Sequence, residues 1–334
     1  MRVIVILLIF PLIFDCHENK SDFNIERLIK ISKQVIGDKG TIIYINTKSG
    51  KVEGIINEDL AFKRAVTPGS TFKLVTALGS LHKSISNLRY KVYCNDKYYL
   101  IGPGPINRRI NYHILKANIG DYYRCSIYKG HKTIDFRNAI NKSCNYYFWN
   151  LGERLGYNSF FETVVDLGFG KKVFQGLPDE NPGMIKKEST RTRQVLGYIG
   201  EGGKLLVTPL QMAFFIHYIA SEGKTKRIYL YKNKNKYISR KIDTENKYIN
   251  LIPHIKDGLI REVSTSTDFS KIINNFNNFA GKTGTATRGK NHQTYGWFIG
   301  YSPIHEPKIA FALFLKNASG KKALKITTKI LFNY

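Results

Sequence analysis

Residues 64–73 read RAVTPGSTFK and place a serine and a lysine three positions apart at the start of a predicted helix. A Pro-Gly pair precedes Ser70 and predicts a sharp turn, and the apolar spacing beyond it predicts a helix over residues 70–82. Side chains three apart share a helix face, so we expect Ser70 and Lys73 to lie within reach of each other. Four other Ser-x-x-Lys patterns occur in the chain, so the pattern alone is not specific. The preceding turn favours a functional pair here over an N-cap serine followed by a surface lysine.

The elements on either side of this segment predict an α+β fold. Before it, apolar spacing predicts a helix over residues 21–38 and two hairpin strands, 41–45 and 52–56. After it come a mostly helical stretch at residues 113–222 and a charged hairpin or loop at 226–250. Three strands, at 279–286, 295–301 and 308–315, and a helix at 320–331 follow. The simplest assembly is a five-stranded antiparallel sheet flanked by helices, with an inserted all-helical lobe. Chemistry is expected in the cleft between the two parts.

A second short motif, Ser143-Cys144-Asn145, lies in the predicted helical lobe. Ser and Asn side chains at this spacing are typical of helix boundaries and buried polar networks as well as of catalytic sites. The motif therefore gains meaning only in combination with others.

The third motif is Lys282-Thr283-Gly284-Thr285, which lies in an otherwise apolar strand. Gly284 would let a ligand backbone approach the strand closely, and the lysine with the two hydroxyls would offer an anchor for a carboxylate. The alternative is a basic edge strand whose lysine discourages aggregation. The chain contains a single Lys-Thr-Gly.

In this order, the three motifs resemble the signature of penicillin-binding proteins and class A β-lactamases. From about residue 38 to residue 330, the chain is similar to the transpeptidase domain of high-molecular-weight, class B-like penicillin-binding proteins. Further segments resemble landmarks of that family, at residues 39–50, 176–183, 206–213 and 296–301. One departure is Cys144, where many relatives carry Ser or Asp. The resemblance implies a β-lactamase/transpeptidase-like fold and serine acyl-enzyme chemistry with no metal and no organic cofactor.

The resemblance also implies catalytic roles for four residues. Ser70 would attack the carbonyl of a D-Ala-D-Ala peptide bond, with Lys73 as the base. Ser143 would relay the proton to the leaving amine, and Lys282 would tune this relay. The expected partners are peptidoglycan stem peptides, and β-lactam antibiotics that imitate them.

The remaining motif residues are implied to bind substrate. Asn145 would hold the substrate and orient the lysine base. The hydroxyls of Thr283 and Thr285 would take the terminal carboxylate, with Gly284 allowing close approach. The backbone N–H groups of Ser70 and Thr285 would form the oxyanion hole.

Several activities on this fold stay open. A D,D-transpeptidase is favoured, and the alternatives are a D,D-carboxypeptidase, a class D-like β-lactamase and a β-lactam sensor domain. Class A β-lactamases deacylate with a glutamate in a Glu-x-x-Leu-Asn context, and we find no convincing example of it here. Class D relatives usually carry Val where this chain has Asn145, so efficient antibiotic hydrolysis is not expected.

The chain is strongly basic. Among its 334 residues, 52 Lys and Arg stand against 25 Asp and Glu, for a net charge of +27, with one dense basic stretch at residues 224–247. This charge indicates either a polyanionic partner or a compositional drift toward residues with AT-rich codons. No nucleic-acid-binding motif accompanies it. We therefore expect a membrane surface as a partner and no nucleic acid.

The four cysteines are Cys16, Cys94, Cys125 and Cys144. They show no C-x-x-C spacing, so a zinc site is not expected. They are too few for a disulfide framework, although Cys94 and Cys125 could form one bridge in an oxidising compartment.

Residues 1–16 predict export. A short apolar run behind one arginine suits a signal-peptide core and is too short for a comfortable membrane span. Cys16 suggests a lipoprotein site and Asp15 argues against it, so lipid anchoring, plain cleavage and an uncleaved anchor all stay open. We expect a linker helix over 17–37 and a penicillin-binding transpeptidase domain over 38–334, at the periplasmic face of the inner membrane.

Overall fold

The computed structural model of the chain describes residues 24–85, 87–99, 122–242, 247–266, 279–288 and 293–332. In chain order, the α-helices are α1 Ile25–Ile36, α2 Glu58–Lys63, α3 Lys73–His82, α4 Phe136–Asn141, α5 Asn145–Leu155, α6 Tyr157–Asp166, α7 Arg191–Gly197, α8 Pro209–Ala220, α9 Ile252–Ser264 and α10 Gly320–Phe332. The strands are β1 Gly40–Asn46, β2 Val52–Ile56, β3 Lys91–Cys94, β4 Lys97–Tyr99, β5 Tyr122–Arg124, β6 Lys132–Asp135, β7 Met184–Ile185, β8 Leu205–Leu206, β9 Tyr229–Lys232, β10 Asn235–Ile238, β11 Ala280–Arg288, β12 Gln293–Ser302 and β13 Ile309–Lys316. Short 3-10 helices cover Gly69–Phe72 and Ile249–Leu251.

The main sheet joins early and late strands of the chain. Its order is β11-β12-β13-β1-β2, and every neighbouring pair is antiparallel. β1 pairs with β13 from Gly40 opposite Leu315 to Asn46 opposite Ile309. The predicted five-stranded antiparallel sheet is confirmed, and each late strand begins and ends within two residues of its predicted bounds.

Both faces of this sheet are covered, as the alternation along β13 demonstrates. Phe311 and Leu313 belong to a core shared with α1 and α10, whereas Ala312 and Phe314 belong to a core that includes α8. Successive strand residues point to opposite faces. With apolar cores on both sides, the strand reads as an unbroken apolar run rather than an alternating one.

Helix α8 is buried along its whole length. All 12 of its residues are buried, and it packs on β1 and β13. Thr208 and Gln211 form a reciprocal capping box, and Pro209 begins the helix. A helix that is apolar all round must lie in a core, so α8 supports the sheet from within.

The lobe inserted between β2 and β11 is mainly helical, but it also contains small sheets. Helices α3 to α7 lie in it, together with the two-stranded pairs β3–β6, β4–β5, β7–β8 and β9–β10. The β9–β10 pair confirms the hairpin predicted within residues 226–250. The other pairs have strands of two to four residues, too short for an alternating pattern to stand out in the sequence.

Helix α1 packs on the folded unit. Leu28 and Ile36 are buried in the core shared with α10, and Ile29 lies so close to Gly54 of β2 that a Cβ there would be 2.4 Å from Ile29 Cδ1. The predicted targeting segment, residues 1–16, lies outside the described residues. No helix among the residues described is both long enough and apolar enough to cross a membrane.

Candidate active site

Ser70 lies in a turn that is pressed against β11. The turn is the 3-10 helix Gly69–Phe72, which continues directly into α3 at Lys73, so the predicted helix begins with a 3-10 turn, as helices often do. Gly69 has φ +56°, and a Cβ at that position would be 2.6 Å from Thr285 O. The glycine therefore permits both the turn and its close approach to the strand.

Lys73 connects the first two motifs. Its Nζ lies within hydrogen-bond distance of four oxygens, Ser70 Oγ at 2.9 Å, Ser143 O at 2.7 Å, Ser143 Oγ at 3.0 Å and Asn145 Oδ1 at 2.6 Å, which share its three N–H donors at most. The side chain is 0% exposed. Within the described residues, none of these partners is a carboxylate. The structure thus brings Ser70, Lys73, Ser143 and Asn145 into one hydrogen-bonded group.

Burial changes the protonation of Lys73. Loss of hydration and, second, the positive charge of Lys282 lower the pKa of Lys73 to about 7, from an ordinary value of 10.5. A lysine with a pKa near neutrality is available as an unprotonated base, which an ordinary surface lysine is not.

The second motif forms a strained turn between α4 and α5. Ser143 has φ +49°, a conformation that non-glycine residues adopt only where the surroundings impose it. Cys144 caps α5, and its Sγ accepts a hydrogen bond from Tyr147 N at 3.4 Å. Asn145 is the first residue of the helix. This turn directs the serine and asparagine side chains to the same lysine.

Lys282 of β11 pairs with a carboxylate that the motifs did not include. Its Nζ lies 2.6 Å from Glu262 Oε2, and both side chains are buried. Among the described residues it makes no hydrogen bond to Ser143. Lys282 still lies close enough for its charge to depress the pKa of Lys73. The structure therefore brings Lys282 near Lys73 but pairs it with Glu262 of α9.

Glu262 also holds the neighbouring threonine. Its Oε1 accepts hydrogen bonds from Thr283 N at 2.7 Å and from Thr283 Oγ1 at 2.5 Å. Sequence reasoning missed this glutamate, although a signal existed. In α9 it follows Leu259 and Ile255 at helical spacing, and both are buried, so a charged residue stands in an apolar stripe. Such a residue needs a buried partner.

Gly284 and Thr285 complete the strand. A Cβ on Gly284 would be 2.8 Å from Thr71 Cγ2 and 2.9 Å from Pro68 O, so the glycine lets β11 lie against the Ser70 turn. Thr285 is exposed, and its Oγ1 accepts a hydrogen bond from Gly320 N at 2.8 Å. This bond uses an acceptor site of the Thr285 hydroxyl and leaves its proton available to donate.

A separate cluster of metal-ligating side chains adjoins the second motif. Its members are Cys94, Cys125, His131 and Cys144, and their ligand atoms all lie within 4.8 Å of one another. The three cysteines are buried and are free thiols, so the structure contains no Cys94–Cys125 bridge. The search for C-x-x-C spacing missed the cluster because its members come from four separate places in the chain. These four residues could hold a metal ion.

Comparison with known proteins identifies the family. Residues 40–333 match the penicillin binding protein transpeptidase domain. Stage V sporulation protein D of Bacillus subtilis is 25% identical, over 80% of this chain and 40% of that protein. Peptidoglycan D,D-transpeptidase MrdA of Acinetobacter baumannii is 24% identical, over 91% of this chain and 51% of that protein. This chain thus spans about half the length, or less, of these curated relatives.

Solved structures show the same fold at lower identity. Pseudomonas aeruginosa PBP2 superimposes with a TM-score of 0.72 at 18% identity, covering 92% of this chain and 74% of that one. PBP2 from Helicobacter pylori also superimposes with a TM-score of 0.72, at 19% identity, covering 91% of this chain and 62% of that one. With the match to the family over residues 40–333, these likenesses lead to one conclusion: the chain belongs to the penicillin-binding protein transpeptidase domain family.

Proposed function

We propose that this chain is a peptidoglycan D,D-transpeptidase that works through an acyl-enzyme on Ser70. The observation that carries the proposal is the buried Lys73 Nζ, which lies within hydrogen-bond distance of Ser70, Ser143 and Asn145 at once. Relatives named as peptidoglycan D,D-transpeptidases support the same chemistry. The substrates would be stem peptides that end in D-Ala-D-Ala, and β-lactams would acylate the same serine.

The proposed reaction begins with proton transfer from Ser70 to neutral Lys73. Ser70 Oγ bonds to the penultimate carbonyl carbon while its proton passes to Lys73 Nζ, 2.9 Å away. Collapse of the tetrahedral intermediate breaks the peptide bond. The proton then passes through Ser143 Oγ, 3.0 Å from Lys73 Nζ, to the leaving amine of D-alanine. An acceptor amine attacks the serine ester by the reverse route and completes the cross-link.

The oxyanion would be held by backbone donors where the turn meets the strand. We assign this role to the N–H groups of Ser70 and Thr285, since Gly69 and Gly284 bring these two segments into contact. Loss of one such donor typically costs about 3 kcal/mol of transition-state stabilisation.

A β-lactamase is the competing activity on this fold. It would need a group that activates water beside the ester. Among the described residues, no carboxylate is hydrogen-bonded to Ser70 or Lys73. This supports an ester that persists for minutes to hours with a penicillin and reacts faster with amines.

Mass spectrometry with a labelled penicillin tests the proposal. We expect one covalent adduct on Ser70 and none in Ser70→Ala. Ser126→Ala is a matched control, because Ser126 also begins a Ser-x-x-Lys pattern but is exposed, and it should label normally. An adduct elsewhere, or continuous antibiotic hydrolysis, would refute the proposal.

Location follows from the same proposal, because peptidoglycan lies outside the cytoplasm. We propose that residues 1–16 direct export and that residues 38–334 act at the outer face of the membrane. Fractionation of cells tests this. Native protein in the cytosol would argue against export, and an unchanged membrane fraction for Cys16→Ala would exclude a lipid anchor at Cys16.

A further inference from the structure

The hairpin formed by β9 and β10 has one face toward the protein core and one toward solvent. Leu230 is buried in the core and Tyr237 packs against it, so the face that carries these two residues is turned inward. Successive strand residues point to opposite faces, and Tyr231 and Ile238 of the outward face are 58% and 51% exposed. Large exposed side chains that share one surface indicate an interaction site.

A lysine lies among the aromatic side chains of this outward face. Tyr231 pairs with Lys236 across the hairpin, and Tyr229 pairs with Ile238, so all four side chains lie on the same face. Lys236 Nζ is 4.8 Å from the ring centroid of Tyr229 and 5.8 Å from that of Tyr231, and the two rings meet edge to face. The face therefore combines aromatic, aliphatic and cationic groups in one array.

The charge around this face is positive. Residues 224–242 contain eight Lys and Arg and no Asp or Glu. The two residues at the tip of the hairpin have φ of +50° and +63°, which gives a tight two-residue turn with Lys234 exposed on it. Among the described residues, Lys234 and Lys236 form no ion pair with a carboxylate, whereas Lys232 on the inward face is paired with Glu58.

The hairpin is fixed to the domain on the side away from the candidate active site. Tyr229 N donates to the carbonyl of Gly50, between β1 and β2, at 2.9 Å, and the Lys232–Glu58 pair joins the hairpin to α2. It therefore lies beside β2, and β2 and β11 are the two opposite edges of the main sheet. Four strand spacings, about 19 Å, separate these edges. A partner bound to the hairpin would thus leave the Ser70 cleft open.

A membrane surface with anionic headgroups matches the chemistry of this face. Tyrosine rings with a polar tip favour the headgroup level of a bilayer, and lysines beside them attract anionic lipids. The lysine stems can lie along apolar groups while the ammonium groups stay in water. A glycan strand could also stack on tyrosine rings, but binding sites for such ligands are concave, whereas this face belongs to a hairpin with an exposed tip.

The N-terminal helix lies at the same edge of the sheet. Helix α1 packs on β2, with Ile29 against Gly54, and the predicted targeting segment, residues 1–16, precedes it in the chain. Residues 17–23 can span at most about 25 Å. If residues 1–16 stay in the membrane, α1 and the β2 edge are held within reach of its surface.

We propose that the outward face of the β9–β10 hairpin docks on an anionic lipid surface. The docking residues are Tyr229, Tyr231, Lys236 and Ile238, with Lys234 at the tip. The contact would orient the domain on the membrane and leave its cleft accessible to wall peptides. The proposal goes beyond the transpeptidase function and takes its cellular setting from the export proposed above. Net charge alone specifies no such surface, because the basic residues are spread along the whole chain.

A fluorescent probe on the hairpin tests the contact directly. The two tryptophans of the chain, Trp149 and Trp297, are buried, so lipid would reach only an indole added at the surface. The emission of Tyr231→Trp should shift to the blue with vesicles of phosphatidylglycerol and phosphatidylcholine, and brominated lipid should quench it. Tyr93→Trp is a matched control, because Tyr93 of β3 is also 58% exposed, and its emission should not change.

Vesicle affinity separates a docking face from a general effect of charge. Replacement of both Lys234 and Lys236 by Gln should weaken binding of the full chain to the anionic vesicles about tenfold or more. Replacement of both Lys322 and Lys325 by Gln removes the same charge from exposed positions of α10 and should have a much smaller effect. Every variant keeps residues 1–16, so differences between variants report the hairpin. The probe reports the contact even where residues 1–16 alone hold the chain on the vesicle.

Several results would contradict the proposal. Vesicles that leave the emission of Tyr231→Trp unchanged, or equal losses of affinity in the two pairs of lysine variants, would overturn it. So would a shift that soluble glycan strands produce and vesicles do not, which would assign the face to the wall polymer. Penicillin labelling of Ser70 should be normal in the hairpin variants. A wild type that does not label would refute the proposed function and leave the docking result standing.

Discussion

Lys73 combines full burial, four oxygens within hydrogen-bond distance of its Nζ and a pKa of about 7. In the proposed reaction Lys73 must be neutral to accept the proton of Ser70, so the rate of acylation should rise about tenfold per pH unit below this pKa and level off above it. Rapid-mixing measurements with a fluorescent penicillin across pH 5 to 9 would check this. A flat profile would mean that Lys73 is not the base.

The same lysine makes stability depend on pH. Between its folded pKa of about 7 and its ordinary value of 10.5, the unfolded chain binds more protons than the folded one. The free energy of unfolding should therefore increase with pH across this window. Comparison with Lys73→Met, which lacks the titrating group, isolates the effect.

Glu262 and Lys282 form a buried pair, so removal of one partner should be costly. Glu262→Gln would leave the Lys282 ammonium buried without a counter-charge, and breaking such a pair typically costs about 3–5 kcal/mol. Denaturant unfolding would measure the loss. The double variant Glu262→Leu with Lys282→Met should be more stable than Glu262→Gln, and the reverse order would contradict the argument.

Two elements, the Ser70 turn and β11, approach each other closely at Gly69 and Gly284. In Gly69→Ala, the new Cβ would lie 2.6 Å from Thr285 O, so we expect the turn to move and penicillin labelling to be lost. Gly37 is a matched control, because its φ of +57° is nearly the same but nothing lies within 4 Å of its Cβ position. Gly37→Ala should lose some stability and label normally.

Elements differ in how far the sequence predicts them. The strands of the sheet and the terminal helices are predicted by local patterns, such as the apolar run in Ile309–Lys316. The three motifs are recognised by the order in which they occur along the chain. The Glu262–Lys282 pair and the cysteine cluster are predicted by neither. Glu262 and Lys282 are 20 positions apart, and the cluster members are 6 to 50 positions apart with no characteristic spacing. They become neighbours only when tertiary packing brings their segments together.

At the scale of the whole molecule, the excess of basic residues should make the protein bind to anionic membrane surfaces. With a net charge of +27, the protein should bind vesicles with anionic headgroups, gaining about 1 kcal/mol per basic residue near the surface, and should release them as salt increases. Co-sedimentation would measure this, with neutral vesicles as the control. Equal binding to both kinds of vesicle, unaffected by salt, would indicate that charge has no part in it.

The pairing of β1 with β13 has a consequence for biosynthesis. Ribosomes produce β1, β2, Ser70 and Lys73 before the strands that complete the sheet and supply Lys282. Until then, the β1 edge has no partner and is open to wrong pairing. Such long-range topology folds slowly. Under the proposed function, catalytic competence arises only after synthesis of β11 to β13, so a partly translated chain would neither react with cell-wall peptides nor be trapped by an antibiotic.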